Sequence, residues 1–199
     1  MEATRLHLLR HGQVEGFEEK RYNGQADVAL TDLGRQQYLC LQQRLADRRL
    51  AAVDCSDLCR CVWGAELIAA GHGLVPVRDA RLRELDIGAW QGKTWQQLKA
   101  DHPEEWQARL DDLVHNQVRG GESLLQMAER VRLALRQILQ RHSGEELVLV
   151  GHGGVNRVIL LDAIGAPLSR LFHIEQEYGC YNLIDYYPDG IAVVKRLNL

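Results

Sequence analysis

The chain has 199 residues, 46% of them hydrophobic and 26% charged, with a formal net charge of -3. These values suit one globular domain with a sizeable core and exclude the basic surface of a nucleic-acid binder. No apolar run approaches the roughly 20 residues of a membrane helix, so no membrane partner is expected.

Residues 6–9 read as a buried strand. Residues 1–5 lead straight into it, so no signal peptide is expected. With an odd number of cysteines, five, free thiols in a reducing cytoplasm are the expectation. Thr31-Asp32 caps a helix running to about residue 47, with Leu33, Tyr38, Leu41 and Leu45 on or near one face. Residues 50–55 read as a second strand and 62–70 as its helix. The stretch 82–121 is polar and aromatic, with Trp90, Trp95 and Trp106, and suits a cap over the strand ends. Within it, 94–110 is helical with a break at His102-Pro103. Ser123 opens the strongest helical pattern, with Leu124, Ala128, Val131, Leu135 and Ile138 at helical spacing. Residues 147–150 form a third strand, followed by a helix over 155–163. Residues 181–186 and 191–196 flank Tyr187-Pro188-Asp189-Gly190, a hairpin signal.

Strands alternating with helices predict an α/β fold in three layers, α/β/α. The sheet is expected to be mainly parallel, with an antiparallel edge strand from the hairpin. No linker or repeat divides residues 1–199, so a single domain with a cap-like insertion at about 82–121 is predicted.

Two strands end in a histidine beside glycine: Arg10-His11-Gly12 and Gly151-His152-Gly153-Gly154. Strand ends of an α/β sheet are where ligands bind, and glycine lets backbone N–H groups approach an anion. Arg60 follows the second strand. Two arginines and two histidines converging on one sheet edge suit a phosphate dianion, because the guanidinium fork matches its oxygens. A neutral histidine can attack phosphorus. Glu84 is the candidate acid for a leaving alkoxide.

Taken in order, the motifs resemble those of the histidine phosphatase superfamily, in its phosphoglycerate-mutase-like branch. They are Leu8-Leu9-Arg10-His11-Gly12, Tyr22-Asn23-Gly24-Gln25-Ala26-Asp27, Ser56-Asp57-Leu58-Cys59-Arg60, Leu82-Arg83-Glu84-Leu85-Asp86-Ile87-Gly88-Ala89-Trp90, Gly120-Gly121-Glu122-Ser123 and Val150-Gly151-His152-Gly153-Gly154. The resemblance implies that His11 is a nucleophile and Glu84 the acid and base. It implies that Arg10, Arg60 and His152 hold the phosphoryl oxygens, and that neither metal nor cofactor is needed. The partner it implies is a small-molecule phosphate ester. The tail Leu171-Phe172-His173-Ile174-Glu175-Gln176-Glu177-Tyr178-Gly179-Cys180 resembles that of the family's α-ribazole phosphatases, which act in cobalamin synthesis. That points to α-ribazole 5'-phosphate.

The phosphate loop departs from the family pattern. Gln13, Val14 and Phe17 stand where an acidic residue, a hydroxyl residue and an asparagine are usual. Asn23 and Gln25 are the neighbouring amides that can take over. Trp90 and His173 are further pocket candidates, with simple packing as the alternative for each. A phosphoglycerate mutase, a broad-specificity sugar or metabolite phosphatase and a non-catalytic phosphate binder remain as other readings. The stretch 84–121 is short for a mutase. Cys55, Cys59 and Cys61 with His72 lack the paired spacing of a zinc site, and free thiols are expected. A homodimer through the cap or an edge strand is compatible with the chain.

Overall fold

In the computed structural model, which describes residues 2–199, the chain forms six strands and six α-helices joined by loops and short 3₁₀ turns. In chain order they are β1 (Thr4–Arg10), α1 (Asp32–Leu45), β2 (Ala52–Cys55), α2 (Cys59–Ala70), β3 (Val77–Arg78), α3 (Trp95–Asp101), α4 (Pro103–Asp111), α5 (Leu124–Arg141), β4 (Glu146–Gly151), α6 (Gly153–Ala163), β5 (Tyr181–Tyr186) and β6 (Ala192–Arg196). Met1, the first residue of the lead into β1, lies outside the described residues.

The strands form one sheet in the order β3-β2-β4-β1-β5-β6. The first four are parallel, β5 runs antiparallel to β1, and β6 antiparallel to β5. The expected antiparallel edge is therefore a whole hairpin, whose inner strand pairs directly with β1. The two-residue β3 is too short to show a period in the sequence.

The runs in β1 and β4 are apolar on both faces because helices cover both sides. Leu6, Leu8, Leu147 and Leu149 pack with α5 and α6. Leu9, Val148 and Val150 pack with α1 and α2. The α/β/α layering thus follows from the strand composition.

Helix α5 buries Leu124, Met127, Ala128, Val131, Ala134, Leu135 and Ile138. Each large apolar side chain contributes about 1.5–3 kcal/mol on burial, and a charge at Val131 would undo that packing. A capping box starts the helix: the Ser123 hydroxyl accepts the Gln126 N–H and the Gln126 side chain accepts the Ser123 N–H. In α1, Thr31 caps by accepting from the Gly34 N–H at 3.0 Å. Tyr38, Leu41 and Leu45 are buried as expected, but Leu33 is exposed. The reason is Gly34, which faces inward against the Gln13 backbone and turns its neighbour out.

The stretch 82–121, proposed as a cap, has a small core of Ile87, Trp90, Leu98 and Val118, with Tyr22, Leu85 and Trp106 against it. Helix α3 ends at the residue before His102, and α4 restarts at Pro103, whose missing N–H is harmless in a first turn.

Candidate active site

Register sets the site. Arg10 of β1 pairs with Gly151 of β4, and Cys55 of β2 pairs with Val150, so three strands end level at one sheet edge. The side chains that follow them therefore meet. The rings of His11 and His152 lie edge to face, 5.2 Å between centroids. Gly12 is required there, because a Cβ would fall 2.2 Å from the Gly34 carbonyl. The loop consequently lies flat on the start of α1.

His11 is buried, and its Nδ1 lies 2.8 Å from the Gly12 carbonyl oxygen. A carbonyl can only accept, so Nδ1 carries the hydrogen and Nε2 keeps its lone pair. Burial above all, then the Arg10 and Arg60 charges, holds His11 well below the ordinary imidazole range. His152 is held down in the same way, by burial first and then by Arg60. Both rings are neutral near pH 7, and a neutral Nε2 can act as a nucleophile.

Arg60, in the first turn of α2, is fully buried. Its two terminal nitrogens donate to the carbonyls of Ala26 (2.6 Å) and Gly24 (2.8 Å). Arg10 donates from Nη1 to the Gln176 carbonyl at 2.5 Å, and its guanidinium carbon lies 3.9 Å from the Tyr178 ring centroid. The Arg10 Nε is buried without a partner, a donor left unused within the protein.

Glu84, just after the turn Ala80–Leu82, faces this group across the cavity. Its carboxylate accepts the Gly154 N–H at 3.0 Å and the Leu85 N–H at 2.9 Å. Arg130 holds the segment behind it. Nη1 donates to the carbonyls of Arg81 and Arg83, both at 2.7 Å, Nη2 donates to that of Glu84 at 3.0 Å, and Glu122 completes an ion pair. Arg10, His11, Arg60 and Glu84 open onto one cavity of about 530 Å³. His152 is fully buried against His11, with the Cys61 Sγ 3.5 Å from its Nε2.

The pocket candidates divide. Asn23 lines the cavity. Gln25 braces the Glu84 segment instead, donating to the Glu84 carbonyl at 3.3 Å. Trp90 does not reach the cavity: it is 1% exposed in the cap core, and its indole N–H donates to Glu105 at 3.2 Å. A small core needs its largest side chain inside. His173 also stays outside, on the surface beside Arg170, because the turn Leu168–His173 points Leu171 inward and His173 to solvent.

The departures from the family pattern at Gln13, Val14 and Phe17 have structural explanations. The Gln13 side chain accepts the Thr31 hydroxyl at 2.9 Å, and Val14 is a buried core residue bridged to Leu30. Phe17 lines the cavity. Sequence reading missed Tyr178, Arg109, Arg130 and Arg157. Arg157 had a usable signal, since it lies four residues after Gly153 on α6 and so on the same helix face. Among the described residues, no group of three or more His, Cys, Asp or Glu could hold a metal ion, and no helix is long and apolar enough to cross a membrane.

The sequence profile of the histidine phosphatase superfamily (branch 1) matches residues 6–199, and the chain belongs to that family. Among solved structures it resembles the α-ribazole phosphatase of Shigella flexneri, with a TM-score of 0.91 and 26% identity over 98% of this chain and 96% of that one. It also resembles a mycobacterial glucosyl-3-phosphoglycerate phosphatase, with a TM-score of 0.88 and 27% identity over 99% of each chain. In sequence it is 35% identical to a probable phosphoglycerate mutase of Erwinia tasmaniensis, over 82% of this chain and 76% of that protein.

Proposed function

We propose that the protein is a phosphomonoesterase that works through a phosphohistidine. The observation that carries this reading is the tautomer of His11: Nδ1–H is spent on the Gly12 carbonyl, which leaves the Nε2 lone pair beside two arginines. In the first step Nε2 attacks phosphorus and the P–O ester bond breaks. The departing oxygen takes its electron pair and a proton from Glu84. Arg10, Arg60 and His152 hold the equatorial oxygens and offset the charge that spreads over them. In the second step a water oxygen attacks phosphorus and gives its proton to the Glu84 carboxylate. The N–P bond breaks, its electron pair returns to Nε2, and inorganic phosphate leaves.

The substrate proposed first is α-ribazole 5'-phosphate, an ester of cobalamin synthesis. Its support is the resemblance to the Shigella flexneri enzyme and a cavity wall of Phe17, Trp95, Leu171 and Phe172, which suits a flat apolar base. A cytoplasmic location fits the five unpaired cysteines. The test is phosphate release, with chelator present, from α-ribazole 5'-phosphate, 3-phosphoglycerate, sugar phosphates and p-nitrophenyl phosphate. Preference for the first, lost in His11→Ala, supports both chemistry and substrate. Turnover without that preference keeps the chemistry and removes the ribazole assignment. No turnover of any ester removes both.

A further inference from the structure

The stretch 174–180 contains no helix or strand, yet it supplies the two groups that grip the Arg10 guanidinium, the Gln176 carbonyl and the Tyr178 ring. A buried knot of three amides holds it. Asn156 and Asn182 are fully buried, and Gln176 is 1% exposed. Gln176 and Asn182 pair reciprocally: Gln176 Nε2 donates to Asn182 Oδ1 at 2.8 Å, and Asn182 Nδ2 donates to Gln176 Oε1 at 2.9 Å. Asn156, on α6, donates from Nδ2 to the same Gln176 Oε1 at 3.2 Å. Asn182 Nδ2 also donates to the Leu8 carbonyl of β1 at 3.1 Å, and Asn182 Oδ1 accepts the Asn198 N–H at 2.9 Å. One side-chain amide thus ties the stretch to β1, β5, α6 and the chain's tail.

An apolar side chain would be cheaper to bury at 176, because a buried amide needs every partner. A connected polar network instead rigidifies the groups around it. Glu175 and Tyr178 line the cavity, while Gln176 stays behind them. We propose that Gln176 is a positioning residue for phosphate binding. Its amide fixes the backbone of 174–180, and its own carbonyl then sets the Arg10 guanidinium. The proposal rests on the phosphatase reading only in giving Arg10 the phosphoryl group to hold.

The test is a double-mutant cycle with inorganic phosphate as the probe. Phosphorus NMR titration, which reads millimolar affinities, gives Kd for wild type, Gln176→Met, Arg10→Gln and the double variant. Turnover of p-nitrophenyl phosphate is followed alongside. Methionine keeps the length of glutamine and removes its amide. Gln176→Met should weaken phosphate binding about 3- to 30-fold in the wild-type background and leave it unchanged in the Arg10→Gln background. A side chain that only fills the core would lower the melting temperature without that coupling. An unchanged Kd, an equal loss in both backgrounds, or no phosphate binding by wild type overturns the proposal. If thermal melting shows that Gln176→Met does not fold, Asn156→Ala, which removes one donor to Gln176, goes through the same cycle. A smaller loss that vanishes with Arg10→Gln then supports the proposal, and a loss equal in both backgrounds overturns it. Coupled loss of phosphate binding in a protein that hydrolyses no p-nitrophenyl phosphate is a separate result. It keeps the positioning role and overturns the phosphatase reading.

Discussion

The guanidinium of Arg10 is clamped between the ring of Tyr178, 3.9 Å away, and the carbonyl of Gln176. The same Tyr178 ring flanks His11 at 5.6 Å between centroids. One side chain thereby orients a cation and walls His11. The stack is worth about 0.5–2 kcal/mol. Tyr178→Leu should lower kcat/KM for phosphomonoesters by roughly 2- to 30-fold, and Tyr178→Phe should restore most of it. If Tyr178 only fills space, the two variants will differ in melting temperature and not in kcat/KM.

The depressed histidines have a pH signature with a definite sign. In the folded protein His11 and His152 lie below the ordinary value of 6.5, so the unfolded chain takes up their protons first as pH falls. Stability from these two groups is complete above pH 6.5 and is lost below it, at up to about 1.4 kcal/mol per pH unit for each. Melting curves from pH 7 downward should show this slope, and His11→Asn should reduce it. For activity, the acidic limb due to His11 should fall below pH 6.5. Arg10→Gln removes a neighbouring positive charge, so that limb should move to higher pH with the same substrate. A limb that stays in place would separate Arg10 from the ionisation of His11.

Glu84 as the acid makes a prediction about leaving groups. General acid catalysis typically contributes 10²–10⁴-fold. Glu84→Gln should therefore cost about that much on alkyl phosphates, and far less on p-nitrophenyl phosphate, whose phenolate leaves unaided. Equal losses on both would point to a role in binding. Arg130→Met, which frees the carbonyls of Arg81, Arg83 and Glu84, should reproduce part of the alkyl-specific loss.

The crossing of Gly12 over Gly34 is a stability determinant as well as a site feature. A methyl group at Gly12 would meet the Gly34 carbonyl at 2.2 Å, and backbone cannot rotate away. Gly12→Ala should destabilise by about 1–3 kcal/mol, measurable by urea denaturation. It should also lower activity, because the Gly12 carbonyl is what fixes the His11 tautomer.

What the sequence disclosed is what short-range physics controls. The strand ends carrying His11 and His152 were legible because glycine follows an apolar run. The caps at Thr31 and Ser123 and the break at Pro103 were legible because each is settled within four residues. The outward turn of Leu33, the burial of Trp90 and the exposure of His173 depend on partners far along the chain. So do Tyr178, Arg109 and Arg130, whose partners lie across the fold and leave no local pattern. Gln13 and Val14 read as losses from a phosphate loop, yet the fold uses both, one as a brace for Thr31 and the other as core.

The stretch 82–121 has a small hydrophobic cluster, Ile87, Trp90, Leu98 and Val118, joined through Leu85 to the cluster that α5 and α6 form on the sheet. His11 and Glu84, the proposed nucleophile and acid, ride on different elements, one at the sheet edge and one in the stretch 82–121. Substitutions around Ile87, Trp90, Leu98 and Val118 would therefore move Glu84 and part of the cavity wall together, so a change in the ester accepted would be tied to a change in proton transfer while the sheet edge that bears His11 stays in place.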